Sequence, residues 1–226
     1  MMTPADRQAM RDTLARALKT ADTPDAAPVH PGRFSPPSSI PVSERLQRFT
    51  AELQALGGIV HHISTAEGVA ALVAELVTRE GASSVLSWDE QWLPLPGVHA
   101  ALEAAGIRVI RQHAADAQDG AARQAWAAAG VGLTAAVACL AQTGSIVVVS
   151  GPGRGRLASL LPPIHVALVS QTMLWESLPE LLTAQPELAT GGTNLVCITG
   201  PSRTADIEHT LSRGVHGPRD IHVVIV

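Results

Sequence analysis

The stretch Gly58–Trp88, GIVHHISTAEGVAALVAELVTREGASSVLSW, predicts a strand, a helix and a second strand in immediate succession. Between its two short apolar runs, apolar residues recur every three or four positions, which is the spacing of one helix face. Ser64 and Glu67 form a predicted capping box at the start of this helix, and Gly81 is placed to end it. The stretch therefore indicates an α/β fold.

The same alternation of strands and helices continues on both sides of this stretch. A preceding helix starts near Val42, carries Leu46, Phe49 and Leu53 on one face, and stops at the glycines 57 and 58. Alternation of this kind predicts a mainly parallel sheet with helices over its faces. Later in the chain we predict helices over 97–106, 176–184 and 204–214, and strands over 107–112, 165–170, 193–199 and 221–226.

The N-terminal part of the chain has a different texture. Met10, Leu14 and Leu18 recur at helical spacing, and the stretch 21–39 is then interrupted by repeated prolines. We therefore predict a helix and a Pro-rich extension over 1–41, and one α/β domain over 42–226.

Composition excludes several classes of function. The chain has 16 Lys and Arg against 20 Asp and Glu, giving a net charge of −4, and it contains no basic run with interleaved aromatic residues, so nucleic acid is not an expected partner. No apolar segment reaches the roughly 18 to 20 residues that cross a bilayer, and the N-terminus lacks the apolar core of a signal peptide. We expect a cytoplasmic protein without membrane insertion.

The sequence predicts neither a metal site nor a bound cofactor. Cys139 and Cys197 each lie in an apolar run, as reduced core cysteines do, and two cysteines are too few to hold an iron–sulfur cluster, which usually needs four. The adjacent His61 and His62 would point to opposite faces of a strand, and no metalloprotease spacing occurs. No dinucleotide fingerprint occurs either.

The segment ITGPSRTADIE, 198–208, joins a predicted strand to a predicted helix. Gly200 and Pro201 turn the chain, Ser202 or Thr204 can cap the helix, and Asp206 lies in its first turn. One interpretation is simply a well-capped helix. The other is an anion site, because free N–H groups at a helix start beside Arg203 suit a carboxylate or phosphate.

A second polar segment, AQTGS over 141–145, lies between two apolar runs. We interpret 132–151 as two strands joined near Gly144, although a helix followed by one strand also fits the pattern. The glycine either forms a tight turn or lets the backbone approach a ligand, with Gln142, Thr143 and Ser145 as polar contacts.

The segment GPGRGR, 151–156, carries three glycines and two arginines, but it has neither the P-loop ending nor the dinucleotide spacing. We predict a mobile loop, or a cationic lid in which Arg156 meets a ligand. His165 and His216 are each either a functional imidazole or a polar residue at a strand entrance, and for a lone histidine we favour the structural interpretation.

Taken together, the stretches 141–169 and 199–226 resemble the LUD-domain family and, within it, the LutC/YkgG lactate-utilisation proteins. The most specific parts are GPSRTAD and GVHGP, and the resemblance covers 42–226. It implies a NagB/RpiA/CoA-transferase-like fold, a three-layer α/β/α arrangement around a mainly parallel sheet. It also implies a bacterial role in oxidising L-lactate to pyruvate, beside separate iron–sulfur partner subunits, with this chain as the cluster-free member.

One residue departs from the family pattern. Gln142 stands where the family more often has an acidic residue, and an amide cannot act as the glutamate nucleophile that CoA-transferases of the wider superfamily use. An autonomous CoA-transferase-like or sugar-phosphate-isomerase-like enzyme, or a ligand sensor, remains as an alternative function. We expect a small anionic ligand at the carboxyl ends of the sheet strands, bound by Gln142, Thr143, Gly144, Ser145, Arg156, Gly200, Pro201, Ser202, Arg203, Thr204, Asp206, His216 and Gly217.

Overall fold

A computed structural model describes residues 4–20, 39–112, 116, 118–204 and 212–226. The chain forms two compact units, Met1–Pro37 and Ser38–Val226. Helix α1 (Pro4–Thr20) belongs to the first unit and confirms the predicted N-terminal helix. The Pro-rich stretch lies almost entirely outside the described residues, and the predicted domain boundary at 41 and 42 stays a prediction.

The second unit alternates strands with helices over most of its length. Its α-helices are α2 (Val42–Ala55), α3 (Ala66–Arg79), α4 (Val98–Ala104), α5 (Gly120–Ala127) and α6 (Leu178–Ala184). Its strands are β1 (Ile59–His62), β2 (Ser84–Ser87), β3 (Arg108–Arg111), β4 (Val131–Ala135), β5 (Ala138–Leu140), β6 (Ser145–Ser150), β7 (Ile164–Val169), β8 (Leu174–Trp175), β9 (Asn194–Ile198), β10 (Arg203–Thr204), β11 (Ser212–Arg213) and β12 (Asp220–Ile225).

Six strands form the central sheet, in the order β1-β12-β7-β4-β2-β3, and every neighbouring pair is parallel. Strands β4 and β7 are buried at every position, because a parallel sheet is covered on both faces. The predicted α/β class, with a mainly parallel sheet flanked by helices, is confirmed.

Helix α3 packs one apolar face into the core, as its periodicity predicts. Val69, Val73 and Val77 are fully buried. The predicted cap is wrong by one position, because Thr65, not Ser64, is the N-cap and its side chain accepts a hydrogen bond from the N–H of Gly68. The cap at Thr65 leaves Ser64 one residue outside the helix, where it cannot form the capping box with Glu67.

A second sheet of four strands, in the order β8-β5-β6-β9, was not predicted as a separate layer. Strands β5 and β6 are antiparallel and follow each other directly, which confirms the two strands predicted around Gly144. Side chains of β6 alternate between two apolar clusters. Ile146 and Val148 join the main core, whereas Val147 packs in a smaller cluster with Leu181 of α6.

The helix predicted over 204–214 is wrong at both of its ends. Strand β10 pairs with β11 in antiparallel fashion, with Arg203 opposite Arg213 and Thr204 opposite Ser212. A helix of this length would hold its ends about 15 Å apart, so it cannot have terminal residues that pair with each other. Residues 205–211, which include Asp206, lie outside the described residues. Tertiary hydrogen bonding has overridden the local helical pattern here.

Candidate functional site

The described residues among the predicted ligand contacts lie at two opposite ends of the β6–β9 strand pair. Ser145 starts β6 beside the residues that follow β9, whereas Ser150 ends β6 opposite Asn194, the first residue of β9. A strand rises about 3.4 Å per residue, so the two ends are on the order of 17 Å apart. The predicted residues therefore cannot all contact one small ligand.

The first end carries a cluster of hydroxyl groups. Ser145 Oγ lies 2.7 Å from Thr143 Oγ1 and 2.7 Å from Thr199 Oγ1, and Ser145 is buried. Gly144 has φ +63° and lies against the end of α2, where a Cβ at this position would come within 2.4 Å of the Leu53 nitrogen. Packing against α2 therefore explains why residue 144 is a glycine. Nearby, Gln142 is exposed, and its N–H donates to the Glu176 carbonyl.

The segment after β9 packs against the same helix end. Gly200 has φ +90°, and a Cβ there would lie 3.0 Å from the Leu56 Cβ. The guanidinium of Arg203 donates a hydrogen bond to the carbonyl oxygen of Leu56, the C-cap residue of α2. The last carbonyls of a helix lack partners within the helix and carry partial negative charge, so a cation is favourable at this position.

The two family segments, GPSRTAD and GVHGP, come together before β12. The Ser202 N–H donates to the Pro218 carbonyl and the Gly214 N–H donates to the Ser202 carbonyl, while a Cβ at Gly217 would lie 3.5 Å from that of Ser202. Pro201 is buried and His216 is exposed.

This segment lies at the opposite edge of the central sheet from the one predicted. Because Gly217 and Pro218 precede strand β12, they lie at its amino end, which is the amino edge of the parallel sheet. The predicted placement of this segment at the carboxyl ends of the parallel strands is therefore wrong for its described residues, 200–204. It assumed that β9 belongs to the central sheet, whereas β9 belongs to the second sheet.

The second end of the strand pair opens into a cavity of about 670 Å³. Arg156 is the predicted site residue found here, and none of the described residues that line the cavity is acidic. The lining residues are Gln112, Ser150, Gly151, Pro152, Gly153, Arg154, Gly155, Arg156, Thr193 and Asn194. We call this the arginine-loop pocket and its segment 151–156 the arginine loop.

Hydrogen bonds fix the arginine loop to the carboxyl ends of β2 and β3. The Asp89 N–H donates to the Gly153 carbonyl at 2.8 Å, and the Trp88 indole N–H donates to the Gly155 carbonyl at 3.0 Å. The Leu157 N–H donates to Gln112 Oε1 at 3.0 Å. Ligands of open α/β sheets bind outside the carboxyl ends of the strands, and this pocket has that position.

Close packing also explains the loop glycines. A Cβ at Gly153 would lie 2.5 Å from Asp89 Oδ2, and a Cβ at Gly155 would lie 2.2 Å from Gln112 Oε1. The glycines thus let the loop approach β2 and β3. The loop is held by β2 and β3 rather than free.

The pocket is lined by two arginines, and the carboxylate of Asp89 lies against Gly153 in the same loop. Arg154 stacks on the indole of Trp92, with its Cζ 4.1 Å from the ring centroid, and its Nε is buried without a hydrogen-bond partner in the described part of the chain. Arg156 is exposed, and within the described ranges neither arginine belongs to an ion pair. By contrast, Arg45 pairs with Glu180. The pocket therefore attracts anions.

Sequence reasoning identified the arginine loop but missed the residues around it. Gln112 is the last residue of a predicted strand, and Thr193 and Asn194 begin another, so strand ends were the available signal. Trp92 ends the short 3₁₀-helix Glu90–Trp92, and no sequence pattern indicated its role. Only the pairing of β6 with β9 brings Asn194 to the loop.

The histidines within the sheet hydrogen-bond to other side chains of the fold. His165 lies inside β7 rather than at a strand entrance, its Nε2 is 2.9 Å from Thr134 Oγ1, and burial lowers its pKa to about 4. His61 Nε2 and His222 Nδ1 share a hydrogen bond of 2.9 Å across neighbouring strands. In the ranges that the structure describes, no group of three or more His, Cys, Asp or Glu is arranged to hold a metal ion.

The lengths and apolar character of the helices can be compared with those of membrane-spanning helices. Over the described residues, no helix has both the length and the apolar character needed to cross a membrane.

Fold and pocket define an α/β protein with an open, parallel central sheet and a cationic pocket at the carboxyl ends of its strands. The sequence-family model of the LUD domain matches residues 46–226 of this chain. The chain therefore belongs to the LUD domain family. This confirms the family predicted from the GPSRTAD and GVHGP segments.

Two relatives and one solved structure show how far the similarity of this chain to known proteins extends. The uncharacterized protein NMB1437 of Neisseria meningitidis is 34% identical over 96 residues, which cover 42% of this chain and only 41% of that protein. Lactate utilization protein C of Geobacillus is 30% identical over 172 residues, covering 72% of this chain and 70% of that protein. A crystal structure of a DUF162 family protein from Deinococcus radiodurans shares the fold, with a TM-score of 0.60 and 22% identity over 83% of this chain and 99% of that one.

Proposed function

We propose that this chain is the cluster-free component of a bacterial L-lactate utilisation system, which oxidises L-lactate to pyruvate in the cytoplasm. The observation that carries the proposal is the similarity to Lactate utilization protein C over 72% of the chain. In this role the chain binds an anionic ligand and works beside partner subunits that hold iron–sulfur clusters.

The cysteines support the assignment of the redox step to partner subunits. Cys139 is fully buried in β5, and burial raises the pKa of its thiol, so it is held as a neutral core residue. Cys197 of β9 is exposed rather than in the core as predicted, although partial burial of its thiol still raises its pKa. Two cysteines in different strands do not supply the set of ligands that an iron–sulfur cluster needs. We expect the purified chain to be colourless.

We propose the arginine-loop pocket as the site of the anionic ligand, with Arg156 as a direct contact. The guanidinium of Arg156 is exposed and unpaired within the described ranges, whereas the guanidinium of Arg203 already bonds the Leu56 carbonyl. At the hydroxyl cluster, Ser145 is buried and bonded to its two neighbours. Within the described ranges the pocket thus has an arginine without a hydrogen-bond partner, whereas the guanidinium of Arg203 at the other end of the strand pair is already bonded.

The test is complementation of a deletion strain of the host. Deleting the gene should slow growth on L-lactate and leave growth on pyruvate unchanged, and the wild-type chain should restore it. The Arg156→Gln variant should restore growth less well than Arg48→Gln, which removes an exposed arginine of α2 that pairs with Glu52. Equal growth of the deletion and parent strains on L-lactate, with no second copy of the gene, would contradict the proposal.

A further inference from the structure

The arginine-loop pocket is large for a three-carbon hydroxy acid. Its volume of about 670 Å³ falls within the roughly 300 to 1,000 Å³ of pockets that enclose ligands of drug size. L-lactate would leave most of that space to water. The volume therefore favours a larger ligand with one anionic end.

The hydrogen-bond donors of the loop favour a phosphate over a carboxylate. Arg154 is held over Trp92, and Arg156 lies two residues further along the same loop. The N–H groups of Gly153 and Gly155 have no acceptor in the described part of the chain. A phosphate group has three terminal acceptor oxygens and carries up to two negative charges, so it can use more of these donors than a carboxylate with two oxygens.

The other lining residues are uncharged, and some of them carry polar groups. Ser150, Thr193 and Asn194 offer hydroxyl and amide groups at the ends of β6 and β9. Gln112 already accepts the Leu157 N–H with its oxygen, which leaves its amide nitrogen free to donate. Groups of this kind bind the hydroxyl and carbonyl groups of a neutral organic body.

We propose that the arginine-loop pocket binds an organic phosphate, with the phosphate between Arg154 and Arg156 and the neutral body along Ser150, Thr193 and Asn194. This inference rests on the proposed function in one respect, the placement of the anionic ligand in this pocket. It adds the chemical class of the ligand.

The experiment is calorimetric titration of the full chain with three probes: AMP, inorganic pyrophosphate and L-lactate. AMP or pyrophosphate should bind at least tenfold more tightly than L-lactate. Arg156→Gln should weaken the phosphate probe about tenfold or more, because a charged hydrogen bond is lost. Arg48→Gln, with its exposed side chain on α2, should leave the affinity unchanged. Equal melting temperatures of the three proteins check that the variants are folded.

Three results would overturn the inference. L-lactate binding as tightly as the phosphate probes would exclude the ligand class, while leaving the lactate-utilisation role intact. Failure of both phosphate probes to bind at millimolar concentration would do the same. Phosphate binding that Arg156→Gln leaves unchanged would place the phosphate elsewhere. The growth of the deletion strain on L-lactate decides the proposed function separately, because it does not depend on which probe binds.

Discussion

Ser145 Oγ and Thr199 Oγ1 lie 2.7 Å apart and share a hydrogen bond across 54 positions of the chain. The bond ties the turn before β6 to the residue that follows β9, so it closes one end of the second sheet. Thr143 Oγ1 bonds the same serine hydroxyl at 2.7 Å. Thr143 and Ser145, which the sequence predicts as ligand contacts, are thus hydrogen-bonded to each other.

Replacing Ser145 should therefore destabilise the fold. Ser145→Ala removes both hydrogen bonds at a buried position, and we expect the free energy of unfolding to fall by about 1 to 3 kcal/mol. Thr143→Ala is the matched control, because Thr143 is exposed and the Ser145–Thr199 bond survives. Urea denaturation measures both variants. Equal stability losses in the two variants would contradict the structural role of Ser145.

Gly144→Ala should cost more than the same change at Gly81. Both glycines have positive φ, +63° and +65°, so both variants carry the strain of about 1 to 2 kcal/mol that a Cβ meets there. At Gly144 the new Cβ would also press on the Leu53 backbone at 2.4 Å, whereas at Gly81 nothing lies within 4 Å. We expect a larger drop in melting temperature for Gly144→Ala. A drop no larger than that of Gly81→Ala would show that α2 moves away freely.

Arg203→Ala should affect stability rather than anion binding. The variant loses the hydrogen bond to the Leu56 carbonyl at the end of α2, and for an exposed arginine we expect a loss of about 1 kcal/mol. Its affinity for anionic probes should match that of the wild type, because Arg203 lies at the end of the β6–β9 pair away from the arginine loop. Thermal melting and calorimetric titration of one preparation give both quantities. A loss of affinity for the anionic probes without a loss of stability would contradict this prediction and indicate that Arg203 binds the ligand.

Buried neutral histidines should make the protein acid-sensitive. Desolvation lowers the pKa of His165 to about 4, against an ordinary value of 6.5. The unfolded chain therefore binds a proton on this residue that the folded chain does not, and stability falls as the pH drops from about 6.5 toward 4. Each pKa unit corresponds to about 1.4 kcal/mol, so His165 alone contributes up to roughly 3 kcal/mol to this loss.

The contribution of His165 can be isolated by removing it together with its partner. The double variant His165→Leu with Thr134→Val leaves no polar group of this pair unpaired, so the fold is kept. Urea denaturation at several pH values should give a smaller loss of stability between pH 6.5 and 4 than in the wild type. His222, whose pKa burial also lowers to about 4, keeps part of the acid sensitivity in this variant. Identical pH slopes for the two proteins would exclude His165 as a source.

Local patterns in the sequence were enough to predict the α/β class and most of the elements. Apolar spacing of 3.6 residues produces one buried face on α3, and runs of apolar residues such as 164–169 can be buried only in a sheet that is covered on both sides. These signals are local, because each depends on the neighbours of a residue along the chain. Such patterns therefore predict an element correctly whichever distant segments the chain later pairs with.

Long-range pairing decided the rest, and above all the site. Whether β9 joins the central or the second sheet depends on its contacts with β6, about fifty residues earlier in the chain, which no local pattern contains. That choice places Arg203 against the Leu56 carbonyl and carries Asn194 to the arginine loop. The helix predicted over 204–214 fails because strand hydrogen bonds, such as those that pair Thr204 with Ser212, outweigh a helix propensity of a few tenths of a kcal/mol per residue.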